Sequence, residues 1–332
     1  MARSTVGIIG VGAVGARAAR QLVSSDEVDS VVLRDLDAGL VDGVVRSLGS
    51  AAVGEPPPHT EPIGGEVVVL ATPAGTHAAL ARDLIARGRS VVSVSDDIAD
   101  VRALLDLDAE ATERDVSVVV GAGFSPGLSC LLAAHASADF SVVDEIHVAT
   151  VGTGGPACAR QHHRALRGQS LDWRDGGWTQ RPGGSGRELC FFPDPIGGRD
   201  CYRAARPEAL LLAPAFPSIT RATARLAATR RDRLTARLPM LRRPHPEGGP
   251  GAIRVEVRGW RDDQRHVKVL GAMDRPAVAA GAVAAVAAVA VLEGRVRRRG
   301  AGGLASLVDS LPLLTELAHR GVRAAVFEGL AS

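Results

Sequence analysis

The first half of the chain consists of short apolar runs separated by segments with helical spacing. The runs that predict buried strands cover residues 6–9, 30–33, 66–70, 91–94 and 116–120. The segments that predict helices cover residues 16–22, 40–48, 77–87 and 98–114. Strands that alternate with helices in this way predict an α/β fold with a parallel, doubly wound sheet. We assign residues 1–125 to a first domain of this class.

The pattern changes after residue 125. An apolar run at 142–151 predicts a strand, and a polar, glycine-rich stretch at 173–188 predicts a hairpin. Residues 253–258 and 266–269 alternate between apolar and polar side chains on either side of an Arg-Asp-Asp turn. Such alternation predicts antiparallel strands with one wetter face. We therefore expect an inserted α/β domain with a largely antiparallel sheet over residues 126–270.

Residues 277–292 are apolar throughout and consist mainly of alanine and valine. The run is too short for a membrane span, so it predicts a buried helix that packs back on the first domain. The basic run at 295–299 is expected to be the solvated end of that helix, with a basic contact patch as the alternative. We assign residues 271–332 to C-terminal helices that cover the first domain.

The composition narrows the class of protein. Hydrophobic residues make up 46% of the chain and charged residues 23%, which is typical of a globular protein. A net charge of +2 indicates no nucleic-acid partner, and we expect no membrane partner. Four cysteines, none with C-x-x-C spacing, predict no metal site and no redox pair. Because strand-forming residues start at once, we expect no signal peptide and a cytoplasmic location.

The first apolar run leads directly into the motif G-x-G-x-x-G. The motif consists of Gly10, Val11, Gly12, Ala13, Val14 and Gly15. When a strand precedes it and a helix follows, Gly10 permits a tight turn, Gly12 admits a pyrophosphate, and Gly15 lets the helix pack on the strand. The free N–H groups at the helix start then hold the phosphates. The arrangement predicts a Rossmann domain that binds a dinucleotide cofactor.

Two residues at the end of the second strand bear on the choice of cofactor. Asp35 lies twenty residues after Gly15, the spacing at which an acid accepts hydrogen bonds from the adenosine ribose of NAD. Arg34 precedes it and would suit the 2′-phosphate of NADP. Neighbouring strand residues point to opposite faces, so only one of the two faces the ribose. The spacing favours Asp35 and, with it, NAD over NADP.

The remaining candidates for cofactor contacts lie where later strands end. Ligands of parallel sheets bind beyond the carboxyl ends of the strands. The residues at these ends that we expect to contact the cofactor are Ala71, Thr72, Pro73, His77, Ser95 and Gly123.

Hydride transfer also needs a group that manages a proton. Asp97 is assigned to cap the following helix, which leaves the adjacent Asp96 for acid–base chemistry. His162 is a candidate because histidine titrates near neutral pH, and Tyr202 is a candidate as the only tyrosine of the chain. Three arginines are candidates for holding a substrate carboxylate: Arg164, Arg199 and Arg203.

Several stretches together resemble the saccharopine dehydrogenase-like oxidoreductases. They are residues 10–15, 121–128, 192–197 and 281–294, which are spread over nearly the whole chain. The resemblance implies a Rossmann domain, an inserted domain that also serves dimerisation, and NAD(P)-dependent chemistry, often at a carbon–nitrogen bond. Sugar oxidoreductases share the Thr72-Pro73…His77 element, but this chain lacks the Glu-Lys-Pro that they carry after the following strand.

These observations lead to one expected function and two alternatives. We expect a homodimeric NAD(P)-dependent oxidoreductase that reduces an imine, or oxidises the matching secondary amine, of a small amino-acid-like substrate. The alternative among enzymes is a carbonyl or enoyl-thioester reductase. The alternative from another class is a non-catalytic regulator that senses NAD(P).

Overall fold

The computed structural model describes residues 4–59, 61–240 and 243–327. Its strands are β1 (Thr5–Ile9), β2 (Ser30–Arg34), β3 (Ala52–Glu55), β4 (Val67–Leu70), β5 (Ser90–Ser93), β6 (Ser117–Val120), β7 (Val142–Val151), β8 (Gln169–Arg174), β9 (Gly177–Pro182), β10 (Glu188–Phe192), β11 (Gly197–Arg203), β12 (Arg221–Ala227), β13 (Gly251–Arg261), β14 (Gln264–Asp274), β15 (Gly300–Gly303) and β16 (Arg323–Phe327). Its helices are α1 (Gly15–Val23), α2 (Ala38–Leu48), α3 (His77–Ala86), α4 (Ile98–Leu105), α5 (Asp108–Glu113), α6 (Leu128–Ser137), α7 (Pro156–Ala165), α8 (Glu208–Leu212), α9 (Arg230–Thr235), α10 (Pro276–Leu292), α11 (Leu304–Leu307) and α12 (Ser310–His319).

The first sheet has seven parallel strands in the order β3-β2-β1-β4-β5-β6-β15. The order of its first six strands is that of dinucleotide-binding domains. Every residue of β4, β5 and β6 is buried, which explains why these strands read as continuous apolar runs. The predicted doubly wound sheet is confirmed.

The edge strand β15 was not predicted, because its sequence is Gly-Ala-Gly-Gly. Glycine is depleted in strands, so no local preference marks this segment. A Cβ on Gly303 would lie 3.0 Å from the Cβ of Leu211 in α8, so the close packing of this helix on the strand favours the small residue. This strand is therefore a product of tertiary contacts.

The helix predicted over residues 98–114 is wrong as a single element, because α4 and α5 are separate helices. The break places Asp108 so that its Oδ1 accepts hydrogen bonds from the Ala301 amide at 2.7 Å and from Arg298 at 2.6 Å. The carboxylate thereby ties α5 to β15. The predicted cap at Asp97 is confirmed on α4, and Asp37 caps α2 in the same way.

The second sheet is mixed and largely antiparallel, as predicted. Its main order is β10-β11-β12-β7-β13-β14-β16, and the β8–β9 hairpin joins it along β12. Strands β7 and β12 are parallel to each other, and the other pairs are antiparallel. The predicted turn between β13 and β14 is confirmed, with Asp262 and Asp263 at φ values of 49° and 60°.

The apolar helix α10 is buried and packs on the first domain, as predicted. A Cβ on Gly281 would lie 2.8 Å from the backbone nitrogen of Ala18 in α1, so glycine permits this close approach. Among the described residues, no helix has both the length and the apolar character that a membrane crossing requires.

The C-terminal segment does not cover the first domain alone. Strand β15 extends the first sheet, whereas β16 pairs with β14 in the second sheet. The prediction that residues 295–299 end a helix is wrong, because α10 already stops at Leu292. The arginines of this run pair instead with acids: Arg297 with Asp309 at 2.7 Å, Arg298 with Asp108 at 2.6 Å, and Arg299 with Asp115 at 3.4 Å.

Candidate active site

The three glycines of the loop between β1 and α1 play different steric roles. Gly10 has φ 95°, and a Cβ there would lie 2.6 Å from the carbonyl oxygen of Ala71. A Cβ on Gly15 would overlap the Gly10 carbonyl. Around Gly12, by contrast, the described part of the chain offers no atom within 4 Å of such a Cβ. The outer glycines let the loop close, and Gly12 leaves space in which a pyrophosphate fits.

Asp35 is held against this loop. Its Oδ2 accepts the Val11 amide at 2.6 Å, and its Oδ1 accepts the Asp37 amide at 3.0 Å. Carboxylate oxygens accept more than one hydrogen bond each, so Asp35 retains capacity for ribose hydroxyls. Asp35 thus lies beside the glycine loop, and its contact with a ribose stays a prediction.

Arg34 is engaged elsewhere. Its Nε donates to Glu55 Oε2 at 2.8 Å, and one Nη donates to the Glu61 carbonyl at 2.8 Å. The side chain is 13% exposed. Because a bidentate partner for a phosphate must present free N–H groups, this pairing makes Arg34 a poor receptor for a 2′-phosphate.

His77 is fully buried beneath the turn that follows β4. Its Nε2 lies 2.9 Å from the carbonyl oxygen of Thr72, and its Nδ1 lies 2.9 Å from Ser93 Oγ. A carbonyl only accepts, so Nε2 carries the proton and Nδ1 accepts from the serine. Burial lowers the pKa of His77, which agrees with a neutral ring. The ring holds the Ala71-Thr72-Pro73 turn in place.

A buried acid that the sequence analysis missed joins the ends of β4 and β5. Asp100 Oδ2 accepts Ser95 Oγ at 2.9 Å and the Gly75 amide at 2.9 Å. Ser95 is therefore turned inward by Asp100. The two strand ends are held together as one rim, on which Asp96 is the next residue.

Asp96 lies at the centre of a polar cluster contributed by three segments. Its Oδ2 accepts a hydrogen bond from Arg206 Nη1 at 2.8 Å and lies 3.5 Å from His162 Nε2. Cys158, one turn before His162 on α7, places its Sγ 3.6 Å from the same Nε2. Asp96 remains 22% exposed at its side chain, whereas Arg206 is 1% exposed. The Asp96 carboxylate is thus the part of this buried cluster that solvent reaches.

Arg206 also connects Asp96 to a buried acid. One of its Nη atoms donates to Glu208 Oε1 at 3.0 Å and to the Ser125 carbonyl. Ser125 Oγ donates to the same carboxylate oxygen at 2.7 Å, and Thr150 Oγ1 donates to Ser125 Oγ at 3.0 Å. The network links the loop after β6 to β7 and α8.

The charges of the cluster shift two pKa values in opposite directions. Burial by itself would raise the pKa of Asp96, but the hydrogen bond with His162 and the charge of Arg206 lower it to about 2. Burial by itself would lower the pKa of His162, but the neighbouring Cys158 sulfur and the hydrogen bond to Asp96 raise it to about 9. Asp96 is therefore ionised at neutral pH.

Three potential metal ligands meet in this cluster, although the cysteine spacing predicted no metal site. Donor atoms of Asp96, Cys158 and His162 lie within 4.8 Å of one another. The guanidinium of Arg206, however, stands 2.8 Å from Asp96 Oδ2 and 3.0 Å from His162 Nε2. Arg206 thus supplies the positive charge that a metal would bring, and its own charge would repel a metal ion.

Helix α7 connects this cluster with the glycine loop. A Cβ on Gly155, just before α7, would lie 3.0 Å from the Cβ of Ala13. Further along α7, Gln161 Nε2 donates to Asp97 Oδ2 at 2.7 Å. Arg164 in turn donates to Gln161 Oε1 at 2.7 Å, so this predicted substrate ligand lies at the rim of the cluster.

Three other predicted site residues lie apart from Asp96. Tyr202 is 4% exposed and has the guanidinium of Arg233 stacked 4.1 Å from its ring centroid. Arg199 is exposed and donates to the Gly198 carbonyl at 3.0 Å. Arg203 lies 3.9 Å from Asp172 in the second sheet. The sequence alone did not reveal on which face of β11 each of these side chains lies.

The residues that sequence reasoning missed are Asp100, Cys158, Arg206 and Glu208. One local signal was available. Arg206-Pro207-Glu208 interrupts an otherwise apolar stretch over residues 204–212, and charged residues are almost never fully buried without a partner. That charge pair in an apolar setting was a sign of a buried ionic contact.

Comparison with solved structures extends this description. No family model matches the sequence. The fold matches saccharopine dehydrogenase (L-Glu forming) from Saccharomyces cerevisiae with a TM-score of 0.67 and 14% identity, over 98% of this chain and 100% of that chain. It matches amine dehydrogenase from Mycobacterium smegmatis with a TM-score of 0.54 and 11% identity, over 92% and 96%. It matches GenD2 from gentamicin A biosynthesis, in complex with NAD, with a TM-score of 0.50 and 16% identity, over 99% and 97%. The resemblance drawn from the sequence is confirmed at the level of fold: the chain has the architecture of saccharopine dehydrogenase.

Proposed function

We propose that the protein is an NAD(P)-dependent dehydrogenase that acts on a carbon–nitrogen bond of a small amino-acid-like substrate. One observation carries this proposal. The cluster of Asp96, His162 and Arg206 lies at the carboxyl end of β5, in the same sheet as the glycine loop with its open space at Gly12. The loop that would hold the cofactor and the groups proposed for proton transfer thereby share one edge of one sheet, where such sheets bind ligands.

The cofactor would be held by the loop of residues 10–15 and by Asp35, and a bound nicotinamide supplies or accepts hydride. His162 provides the accompanying proton. The proposed action at a carbon–nitrogen bond is supported by the fold matches to a saccharopine dehydrogenase and to an amine dehydrogenase. Asp96 holds the imidazolium, and Arg206 holds Asp96.

The reaction class is tested by NADH oxidation with a cyclic imino acid, an α-keto acid and an enoyl thioester. Turnover confined to the imino acid supports the proposal. Turnover of the keto acid or thioester alone replaces it with a carbonyl or enoyl reductase. Tight NADH binding without turnover of any of the three supports the non-catalytic regulator instead.

Cofactor choice gives the first quantitative prediction. NADH should bind about tenfold more tightly than NADPH, because Asp35 faces the glycine loop while Arg34 is paired with Glu55. Dissociation constants from fluorescence titration test this. Asp35→Ala should weaken NADH binding and leave NADPH binding nearly unchanged, whereas Asp42→Ala on the exposed face of α2 should alter neither. Tighter binding of NADPH by the wild type would assign specificity to Arg34.

The pH dependence gives the second prediction. A general acid must be protonated, so kcat/KM for imine reduction should fall as the pH rises through about 9, the pKa of His162. Asp96→Asn should move this fall towards neutral pH, because it removes the carboxylate that favours the imidazolium. His162→Gln should lower kcat by about 10²- to 10⁴-fold.

The matched control for this profile is Asp83→Asn. Asp83 is an exposed acid on α3 that pairs with Arg87, so its loss should leave the midpoint unchanged. If the pH at which kcat/KM falls stays near 9 in Asp96→Asn, His162 is not the general acid.

A homodimer is part of the same proposal. Strands β13 and β14 of the second sheet expose large apolar side chains, with Trp260 40% and Val267 60% exposed. Exposed apolar surface on a sheet suits contact with a second copy of the chain.

A further inference from the structure

A cluster of arginines surrounds one buried acid on the face of the second sheet that is turned away from Asp96. Along β7, Thr150 points towards Ser125, and His147 points to the opposite face. In the paired strand β12, Thr223 lies opposite His147 and bonds to it at 2.8 Å. Arg221 and Arg225 lie two residues before and two residues after Thr223 in β12, so their side chains share its face of the sheet.

The face contains a cavity of about 40 Å³, here called the Asp172 cavity. Its charged and hydroxyl lining comprises Asp172, Arg174, Thr179, Arg181, Arg203, Arg221 and Thr223. The volume exceeds what one water molecule needs, and the lining is polar. Small polar ligands therefore fit it better than apolar ones.

Three buried polar atoms at this place have no hydrogen-bond partner among the described residues. They are Asp172 Oδ1, Arg203 Nε and Arg225 Nη1. Arg203 Nε is 3.9 Å from the nearer Asp172 oxygen, which is beyond hydrogen-bond distance. Arg225, 8% exposed, pairs with Glu188 through Nε at 3.0 Å and so leaves Nη1 unused. Arg225 lies directly opposite Arg203 in the register of β11 and β12. One donor and one acceptor of the cavity lining, Arg203 Nε and Asp172 Oδ1, are thus left unsatisfied, and Arg225 on the neighbouring strand leaves a further donor unused.

The charges around the cavity are unbalanced. Arg181, Arg203 and Arg221 face one carboxylate, Asp172. Burial and the neighbouring charge of Arg225 lower the pKa of Arg203, as expected where guanidinium groups crowd together. Burial raises the pKa of Asp172 in spite of these arginines. An anion would offset the crowded positive charge. If it also carries a hydrogen-bond donor, it can donate to the unpaired oxygen of Asp172.

We propose that the Asp172 cavity binds the free hydrogen phosphate ion, which keeps a P–OH group at neutral pH. The phosphoryl oxygens accept hydrogen bonds from Arg203 and from a second arginine of the lining, Arg221, and the remaining P–OH donates to Asp172 Oδ1. Guanidinium groups suit phosphate oxygens in charge and in geometry. Sulfate has the same shape but no proton at neutral pH, so Asp172 rejects it. The site is separate from the dehydrogenase chemistry proposed above, since it lies on the opposite face of the sheet.

The experiment measures binding of inorganic phosphate, phenyl phosphate and sulfate by calorimetry at constant ionic strength. All proteins carry Gly12→Val, so that phosphate held by the glycine loop makes no contribution. Phosphate should bind at least about tenfold more tightly than sulfate, which corresponds to one hydrogen bond to a charged group. Phenyl phosphate is largely a dianion without a P–OH group at neutral pH, so it should bind as weakly as sulfate. Binding of phenyl phosphate as tight as that of inorganic phosphate would contradict recognition by Asp172.

Two variants separate recognition from folding. Arg203→Gln should weaken phosphate binding by about tenfold or more, because a charge-assisted hydrogen bond is lost. Asp172→Asn keeps the shape but presents an N–H₂, so sulfate should now bind nearly as well as phosphate. Arg102→Gln, on the exposed side of α4, removes an arginine elsewhere and should change neither affinity. Equal binding of sulfate and phosphate by the protein with Asp172 intact, or wild-type affinity in Arg203→Gln, would overturn the proposal.

Discussion

Gly12→Val is expected to weaken NADH binding by about a hundredfold or more while the protein stays folded. The valine side chain would fill the open space at Gly12, and forcing a ligand past extra methyl groups costs about 1–3 kcal/mol or more. Nothing in the described chain lies within 4 Å of a Cβ at this position, so the fold itself has room for it. Fluorescence titration with NADH gives the affinity, and thermal unfolding followed by circular dichroism gives the stability.

Two glycine variants serve as controls for this result. Gly43→Val adds the same side chain to α2, where a Cβ also meets no described atom within 4 Å, and NADH binding should persist. Gly15→Ala should instead destabilise the protein, because its Cβ would overlap the Gly10 carbonyl. A folded Gly12→Val protein that binds NADH as tightly as the wild type would remove the basis for the cofactor site.

Arg206→Met is expected to lower the free energy of unfolding by about 3–5 kcal/mol, the typical effect of removing one partner from a buried ion pair. The guanidinium is 1% exposed and contacts Asp96 at 2.8 Å and Glu208 at 3.0 Å. Without it, the Glu208 carboxylate remains buried beside an uncharged side chain. Denaturant unfolding monitored by fluorescence measures the change.

A second substitution makes this result interpretable. In Arg206→Met/Glu208→Gln the buried negative charge is absent, and the glutamine oxygen still accepts from Ser125 Oγ, so a large part of the lost stability should return. Arg297→Met removes an exposed partner of Asp309 and should cost at most about 1 kcal/mol. A change no larger than that in Arg206→Met would show that the buried network is not a source of stability.

Much of the fold was predictable, because its signals are local. The strand–glycine–helix sequence around Gly10 and Gly15 reflects steric needs within a few residues, and the turn formed there depends on little else. The caps Asp37 and Asp97 each bond amides two and three residues ahead. Short apolar runs marked the buried strands β4 to β6 because burial on both faces favours apolar side chains, and the serines of β5 and β6 lie only at strand ends.

The candidate site was predictable only in part. Asp96 and His162 were selected by their chemistry and position, and the structure brings them to 3.5 Å. Arg206, which organises the cluster, is 110 residues from Asp96 in the chain, and no local pattern records that contact. Tyr202, Arg199 and Arg203 were selected by residue type, but β11 carries them to other surroundings.

The sequence by itself therefore determined the two sheet types, the glycine loop with Asp35, and the helix starts, since each depends on neighbouring residues or on a simple period of side chains. The tertiary structure alone decided that the four-residue segment of β15 is a strand, that α4 and α5 separate, and that Arg206 joins Asp96 to Glu208. These features depend on contacts between segments distant in the chain, where the energy of a buried charge or a close packing contact outweighs local preference.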